Sequence, residues 1–390
     1  MSADHKQLSD ERGMVLYSSL LILTLLVTVG LGARVMLQTD FQILANLRGS
    51  TEAFYLADAG IEWGKDQINK ISNHPPNPAN GAENFSSGSF SVVFLSPKVV
   101  TPLVATVGLR STGRVGNSSQ IVEAGIAKTY DLTDGAVSLR GNANHVAFGG
   151  NPFVISGIDH DPATAQPLTG AKSRLAISVS DKTLQDLVTQ TLSSSLQTGT
   201  IEAGIDSPAI SQSSFIPGPA IVTLANDLCS SPQALRDFVP SGGVLLLQGQ
   251  TWGTQTSPEL RCIDGLTGPG DAVHLAGSIN GAGILVVRNA DLLVNGSFHW
   301  EGLIIVTGND VGFKTIGADS KQIYGALMIN ETGTPGNETA LLDLQGSVRV
   351  LFSRSALSRV VGLIPSSTLQ SSHSSLPTMI VQEYWRTVTP

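Results

Sequence analysis

MVLYSSLLILTLLVTVGLGA, Met14–Ala33, is a run of 20 residues without a charge. At 1.5 Å per residue a helix of that length reaches across the ~30 Å hydrocarbon layer of a bilayer. The apolar spacing does not stop there. Leu37, Phe41, Leu44, Leu47, Phe54, Ala57, Ile61, Ile68 and Ile71 recur at three or four residues, or multiples of that, along one stripe. No proline falls between Met14 and Pro75, so the spacing predicts one helix over 14–71, roughly 58 residues and about 87 Å long. Gly49, Gly60 and Gly64 weaken it locally, by up to ~1 kcal/mol each relative to Ala. Ahead of it lies the polar leader MSADHKQLSDERG, Met1–Gly13, in which Lys6 and Arg12 are offset by Asp4, Asp10 and Glu11. Charge alone therefore does not orient the span. A cleavable secretory signal with Gly30 or Gly32 at the cut is the competing reading, but the leader is acidic and the apolar core exceeds the usual ~7–15 residues.

Composition extends the reading to the remainder. Charged residues are 14% against a typical ~25%, Gly is 41 of 390, and aromatics are 5%. Such a balance favours β structure with many turns. The 23 Lys and Arg against 31 Asp and Glu give a net charge of −8 with no basic run, which argues against a nucleic-acid partner and against docking on acidic lipid. Two cysteines, Cys229 and Cys262, exclude a four-cysteine zinc site and a dense disulfide scaffold.

The turn-formers of Ser72–Gly88, among them Pro75, Pro76, Pro78 and Asn80-Gly81, predict the end of the helix. Ser89–Ser96, Leu103–Arg114 and Gln120–Ala127 then read as a small antiparallel meander. From about Leu132 the texture changes. Gly283-Ile284-Leu285-Val286-Val287, Gly302-Leu303-Ile304-Ile305-Val306 and Gly325-Ala326-Leu327-Met328-Ile329 start 19 and then 23 residues apart, a period that fits rungs of a parallel β-solenoid. Val273-His274-Leu275, Leu292-Leu293-Val294 and Leu341–Leu344 are candidates for the other rung faces, and a β-sandwich head is the alternative. Asp181 reads as the cap of a helix bearing Leu184, Leu187, Val188 and Leu192. Ser231-Pro232 reads as the start of a second helix with Leu235 and Phe238. Gln197–Pro219 and Ser366–Ser375 read as loops, and Met379–Trp385 as a last strand that closes the head.

Several of these residues carry a family resemblance. Arg12-Gly13 before the apolar run, Asn46-Leu47-Arg48, and Ala53-Phe54-Tyr55-Leu56-Ala57-Asp58-Ala59-Gly60-Ile61-Glu62 resemble the amino-terminal region of PilX-like type IV minor pilins. Ser111-Thr112-Gly113-Arg114-Val115-Gly116 resembles the turn before the last strand of such pilin domains. GAGILVVRNADLLVNGSFHWEGLIIVTGND, IYGALMIN and VRVLFSRSAL, within Asp271–Leu357, resemble the β-rich domain often fused to them, with a weaker echo at Val137–Asp159. The resemblance implies cleavage by prepilin peptidase between Gly13 and Met14 and N-methylation of the new terminus. The fifth mature position, where major pilins carry Glu, holds Ser18. A carboxylate there neutralises a neighbour's buried amino terminus, since an unpaired charge in a dry setting is costly. Ser18 does not supply that charge, which suits a tip position; the alternative is a tolerated small residue in a single-pass anchor.

Chemistry candidates are few. Cys229 and Cys262 are a candidate disulfide in an oxidising compartment, the alternative being two unpaired thiols. Arg261 beside Cys262 would favour a thiolate, but no His is near in sequence to act as base. Asp159-His160-Asp161 offers metal-capable groups, yet adjacent strand residues point to opposite faces, so a polar turn is the expectation. His299-Trp300-Glu301 is a glycan-contact candidate set against a core Trp. Asp291, Asp310, Asp319 and Asp343 follow no regular rung period, and no GxSxG, HExxH or phosphate-binding glycine loop occurs.

The expectation is a mainly β protein with a long amino-terminal helix: leader 1–13, transmembrane and stalk helix 14–71, pilin-like meander 72–128, and a solenoid-like head over 129–390. As a minor pilin it is expected to be non-enzymatic, without cofactor or metal. Its partners are expected to be other pilins, prepilin peptidase and the pilus assembly machinery. Its place is the bacterial inner membrane as a precursor, then the periplasm and a surface pilus. The alternatives are a permanently anchored binding protein for a glycan or other surface ligand and, further off, a polysaccharide-active solenoid enzyme.

Overall fold

The computed structural model describes residues 7–71, 75–101, 103–141, 145–149, 152–168, 173–194, 199–204, 208–213, 216–266, 270–333, 341–365, 368 and 378–388. One helix of 64 residues, α1 (Gln7–Lys70), begins inside the leader instead of at Met14, because no proline interrupts the polar run ahead of the span. It ends ahead of Pro75, as the turn-formers predict.

Strands β1 (Gly81–Phe85), β2 (Gly88–Phe94), β3 (Lys98–Thr101), β4 (Val104–Val115) and β5 (Ser118–Tyr130) follow as an antiparallel sheet, ordered β1-β2-β4-β5 with β3 also beside β4. The three expected strands form, and β1 and β3 are additions where the sequence suggested turns. Burial alternates along β4, as in a sheet with one packed face. That face lies on α1, with Phe90, Val92, Val107, Leu109, Val122, Ala124 and Ile126 against Ala57, Ile61 and Ile68.

The chain continues through β6 (Gly135–Arg140), β7 (Val146–Gly149), β8 (Phe153–Ser156), β9 (Leu175–Val179), α2 (Lys182–Ser194), β10 (Gly199–Glu202), β11 (Ile210–Gln212) and α3 (Gly218–Ser230). Next come β12 (Leu235–Phe238), β13 (Val244–Gln248), β14 (Thr251–Trp252), β15 (Glu259–Asp264), β16 (Ala272–Arg288), β17 (Asp291–Gly308) and β18 (Phe313–Ile316). The last elements are β19 (Ser320–Glu331), β20 (Leu342–Gln345), β21 (Ser347–Phe352), α4 (Arg354–Val360) and β22 (Thr378–Val388).

Strands β6 to β21 form one curled 16-stranded sheet. Its pairings among the described residues are all parallel, which sets the sandwich alternative aside. The glycine-led runs lie side by side in register, Gly283 on Gly302 and Gly302 on Gly325. These glycines have φ of 148°, 134° and 134°, a region that L side chains avoid, and so turn the chain between faces. Equivalent residues stack in columns: Leu245, Val273, Leu292, Phe313, Leu342 and Val146 form one, buried from Val273 onward. The runs 284–287, 303–306 and 326–329 are buried throughout because α3 and α4 pack over that face from outside. Burial on both faces explains why they read as continuous apolar stretches instead of alternating ones.

Three expectations are corrected. Ser231-Pro232 does not start a helix: α3 ends at Ser230, and Leu235–Phe238 is strand β12, paired with β15. The stretch 197–219, read as loop, contains β10, β11 and the start of α3, whose second residue is Pro219. The final strand forms but does not close the head; β22 returns to the antiparallel sheet and pairs with β5, from Thr378↔Tyr130 to Val388↔Ile121. The helix expected after Asp181 is α2, with the Leu184 backbone N–H donating to Asp181 Oδ1 at 3.0 Å.

Candidate functional site

Among the described residues, nothing packs over the lower half of α1. Met14, Leu16, Leu20, Leu23, Val27, Leu31 and Val35 are exposed, and so are Leu37, Phe41, Leu44 and Leu47 of the stripe. By length and composition, Met14–Lys70 is able to cross a membrane. The serine and threonine hydroxyls of the span bond back to their own helix: Ser18 Oγ donates to the Val15 carbonyl at 3.0 Å, Ser19 Oγ to Leu16 at 2.8 Å, Thr24 Oγ1 to Leu20 at 2.9 Å and Thr28 Oγ1 to Leu25 at 2.8 Å. Hydroxyls bonded back to their own helix suit an apolar surrounding, where an unpaired polar group costs several kcal/mol. Gly13 lies within α1 just below Met14, and among the described residues the hydrogen bond of Ser18 runs to its own helical turn.

The upper half of the same helix is clamped. A Cβ at Gly113 of β4 would meet the carbonyl oxygen of Ala53, so sheet and helix touch backbone to backbone at that point. Lys128 of β5 is fully buried, and its Nζ donates to the carbonyls of Ile68 at 2.8 Å, Asn69 at 3.1 Å and Ile71. Those are carbonyls that a helix end leaves without partners, and a cation there also complements the helix dipole. Burial pushes the Lys128 ammonium down to about 8. β22 adds a second tie: Trp385 Nε1 donates to Asp58 at 3.1 Å, and Arg386 bonds Glu123 Oε2 at 2.7 Å while Arg110 reaches Glu123 Oε1. Hydrogen bonds from Arg386, then Arg110, hold the Glu123 carboxyl below its ordinary value. Lys128 was not singled out from sequence, although a lysine inside the apolar run Ala124–Tyr130 was the available signal.

The other marked residues serve the head. Cys229 of α3 and Cys262 of β15 are joined, with α-carbons 5.6 Å apart. Asp159 accepts from Arg354 through both its backbone N–H (2.8 Å) and its guanidinium (2.9 Å), while Asp161 accepts from the Ala163 N–H in a local turn. Burial raises the Asp159 carboxyl above its ordinary value, with Arg354 opposing. Arg354 also bonds Asp131, which takes Arg174 as well, so an ion cluster that sequence reasoning missed forms just after β5, beside Leu103 and Tyr130 of the stack's apolar core. Trp300 is fully buried, and Glu301 is engaged by Arg359 at 2.8 Å and Gln255 at 2.8 Å, with His299 Nε2 at 3.2 Å. Among the described residues no group of three His, Cys, Asp or Glu is placed to hold a metal. A cleft of about 560 Å³ near the end of α3 has Asp227 as its one ionisable lining residue, and that carboxylate accepts from Thr368 at 2.8 Å.

The architecture is thus a helix with an exposed apolar half, an antiparallel sheet clasping its upper half, and a parallel β head. No family model matches the chain and no curated protein does. Among solved structures it is similar to the crystal structure of the competence-associated pilin ComZ from Thermus thermophilus, at 12% identity and a TM-score of 0.31, over 87% of this chain and 98% of that one. At that score the likeness carries no weight for fold or function.

Proposed function

We propose that the chain is a minor pilin-like subunit of a type IV pilus or pseudopilus, acting by assembly and contact and not by turnover. One observation carries this reading. The exposed apolar surface of α1 runs from Met14 to Leu47, roughly 34 residues and ~51 Å, well beyond the ~30 Å that a single anchor needs. Val35, Met36, Leu37, Phe41, Ile43, Leu44 and Leu47 therefore sit above the span, exposed and with no described residue covering them, and a bundle of like helices covers such a surface.

In this reading residues 1–13 are the leader, prepilin peptidase cuts between Gly13 and Met14, and Met14 becomes the methylated terminus. The precursor resides in the inner membrane and the processed chain moves to the periplasm and the cell surface. Ser18 lacks the charge that would receive a neighbour's terminus, which favours a place at the filament tip. The head over 129–390 is read as a short, irregular solenoid, with 72–128 and β22 forming the pilin-like part. Engagement of Asp159, Glu301 and Asp227 in internal bonds supports a non-enzymatic role. Shearing filaments from cells that express the chain tests the reading: recovery in the sheared fraction with other pilins is expected. Retention in membranes alone would favour a permanent anchor with a glycan- or protein-binding head.

A further inference from the structure

Four neighbouring rungs of the stack repeat one outward pattern. Ser278-Ile279-Asn280, Ser297-Phe298-His299, Ser320-Lys321-Gln322 and Ser347-Val348-Arg349 lie level, with Asn280 on His299, His299 on Gln322 and Gln322 on Arg349. The middle residue of each triplet is buried, so by strand alternation its two neighbours point outward. Asn280 is exposed, and His299, Gln322 and Arg349 are half-buried. Two columns result, one of serine hydroxyls and one of planar hydrogen-bonding groups, stepping at the ~4.8 Å strand spacing over about 14 Å. Bonds along each strand orient them. Asn280 Nδ2 donates to Ser278 Oγ at 3.3 Å, Gln322 Nε2 to Ser320 Oγ at 3.3 Å, and Tyr324 Oη to Gln322 Oε1 at 3.2 Å.

Arg349 differs from the other cations of the head. Every other described Lys or Arg from β6 to α4 reaches a carboxylate or a backbone carbonyl. Among the described residues Arg349 makes neither a hydrogen bond nor an ion pair. No carboxylate stands in either column. Glu301, next along β17, is turned to Arg359 and Gln255, and Asp319 lies before the start of β19.

We propose that this face binds an acidic polysaccharide laid along the stack axis. The Arg349 guanidinium takes a uronate carboxylate, and Asn280, His299 and Gln322 take hydroxyls of successive sugars. Three observations select that ligand. First, β17, β19 and β21 each lie between two paired strands, so the face offers no sheet edge to which a peptide strand could add. Second, neither column carries a large apolar side chain of the kind that anchors a protein interface, whereas equally spaced polar groups suit a polymer with hydroxyls on every unit. Third, an unpaired guanidinium fits a planar carboxylate through two parallel hydrogen bonds. The inference goes beyond the pilin reading, since it concerns the head and holds whether or not α1 enters a filament.

Binding of the full chain, in mild detergent, to polygalacturonate provides the test, with dextran as a neutral polymer and polyglutamate as an acidic polypeptide. Polygalacturonate is expected to bind at least ~tenfold more tightly than either. Arg349→Gln removes an outward side chain that holds no internal bond; it is expected to leave the circular dichroism spectrum unchanged and to raise the polygalacturonate dissociation constant at least ~tenfold. Gln322→Ala is expected to raise it about threefold. Lys182→Gln removes an exposed cation from α2 instead and is expected to leave binding unchanged. Any of four results would overturn the proposal: no binding of polygalacturonate, equal or tighter binding of dextran or polyglutamate, native affinity in Arg349→Gln or Gln322→Ala, or a loss in Lys182→Gln as large as that in Arg349→Gln.

Discussion

The antiparallel sheet and the parallel stack draw on the same Val, Leu, Ile and Gly, yet they hide their apolar faces by different means. The first leans on a foreign element: one face of β2, β4 and β5 is covered by α1, and the fit depends on close approach at Gly113 and on Lys128 holding the helix end. The second covers itself, each rung lying in register on the next, with glycines at the corners and α3 and α4 on one outer face. The first is therefore exposed to whatever displaces the helix, and the second to whatever disturbs a corner or an end.

The largest break is expected at a corner. Gly325→Val forces an L side chain to φ near 134° and sets a Cβ against the Gly302 carbonyl oxygen, a combined cost on the order of 4 kcal/mol from strain and overpacking. Hydrogen exchange should show β17 and β19 loosening while β4 and β5 keep their protection. The mirror experiment is Ile61→Ala, which empties a fully buried site between α1 and the sheet at about 3 kcal/mol. Here the loss of protection should fall on β4 and β5 and spare the stack.

A smaller effect is expected from Lys128→Ala, about 2 kcal/mol, because the carbonyls of Ile68 and Asn69 lose their donor. Denaturant melts followed at Trp63, which packs near Phe90 and Phe94, report it. The smallest is a pH effect on β22. The Glu123 carboxyl is held low by Arg386 and Arg110, so its contribution is complete above the unfolded Glu value of ~4.3 and is lost as pH falls through the lower folded value. Exchange in β22 should accelerate below that range in the native chain, and Glu123→Gln should flatten the response.

How much of this was readable in the sequence follows the same division. The uncharged span, the stripe through Ile68 and the glycine-led runs are periodic, and periodicity is a local property, so α1 and the in-register stack were legible. The candidate disulfide was legible as a pair but not as a contact, because separation along the chain says nothing about α-carbon distance. Ser231-Pro232 misled because a capping signal was weighed without the apolar spacing of Ile221, Leu224, Ala225 and Leu228 just ahead of it, which marks α3. The return of β22 to β5 joins residues more than 240 positions apart, and no local pattern encodes such a pairing. The Asp131, Arg174, Arg354 and Asp159 cluster was hidden for the same reason. The helix's lower half was legible as an apolar surface; its exposure depends on where the other described residues pack, which no local pattern encodes.

That uncovered half is the centre of the account, and its processing tests it most directly. Co-expression of the full chain with prepilin peptidase, followed by intact-mass measurement and terminal sequencing, should show the loss of residues 1–13 and a methylated Met14. A chain that remains at 40.7 kDa with residues 1–13 in place would contradict it.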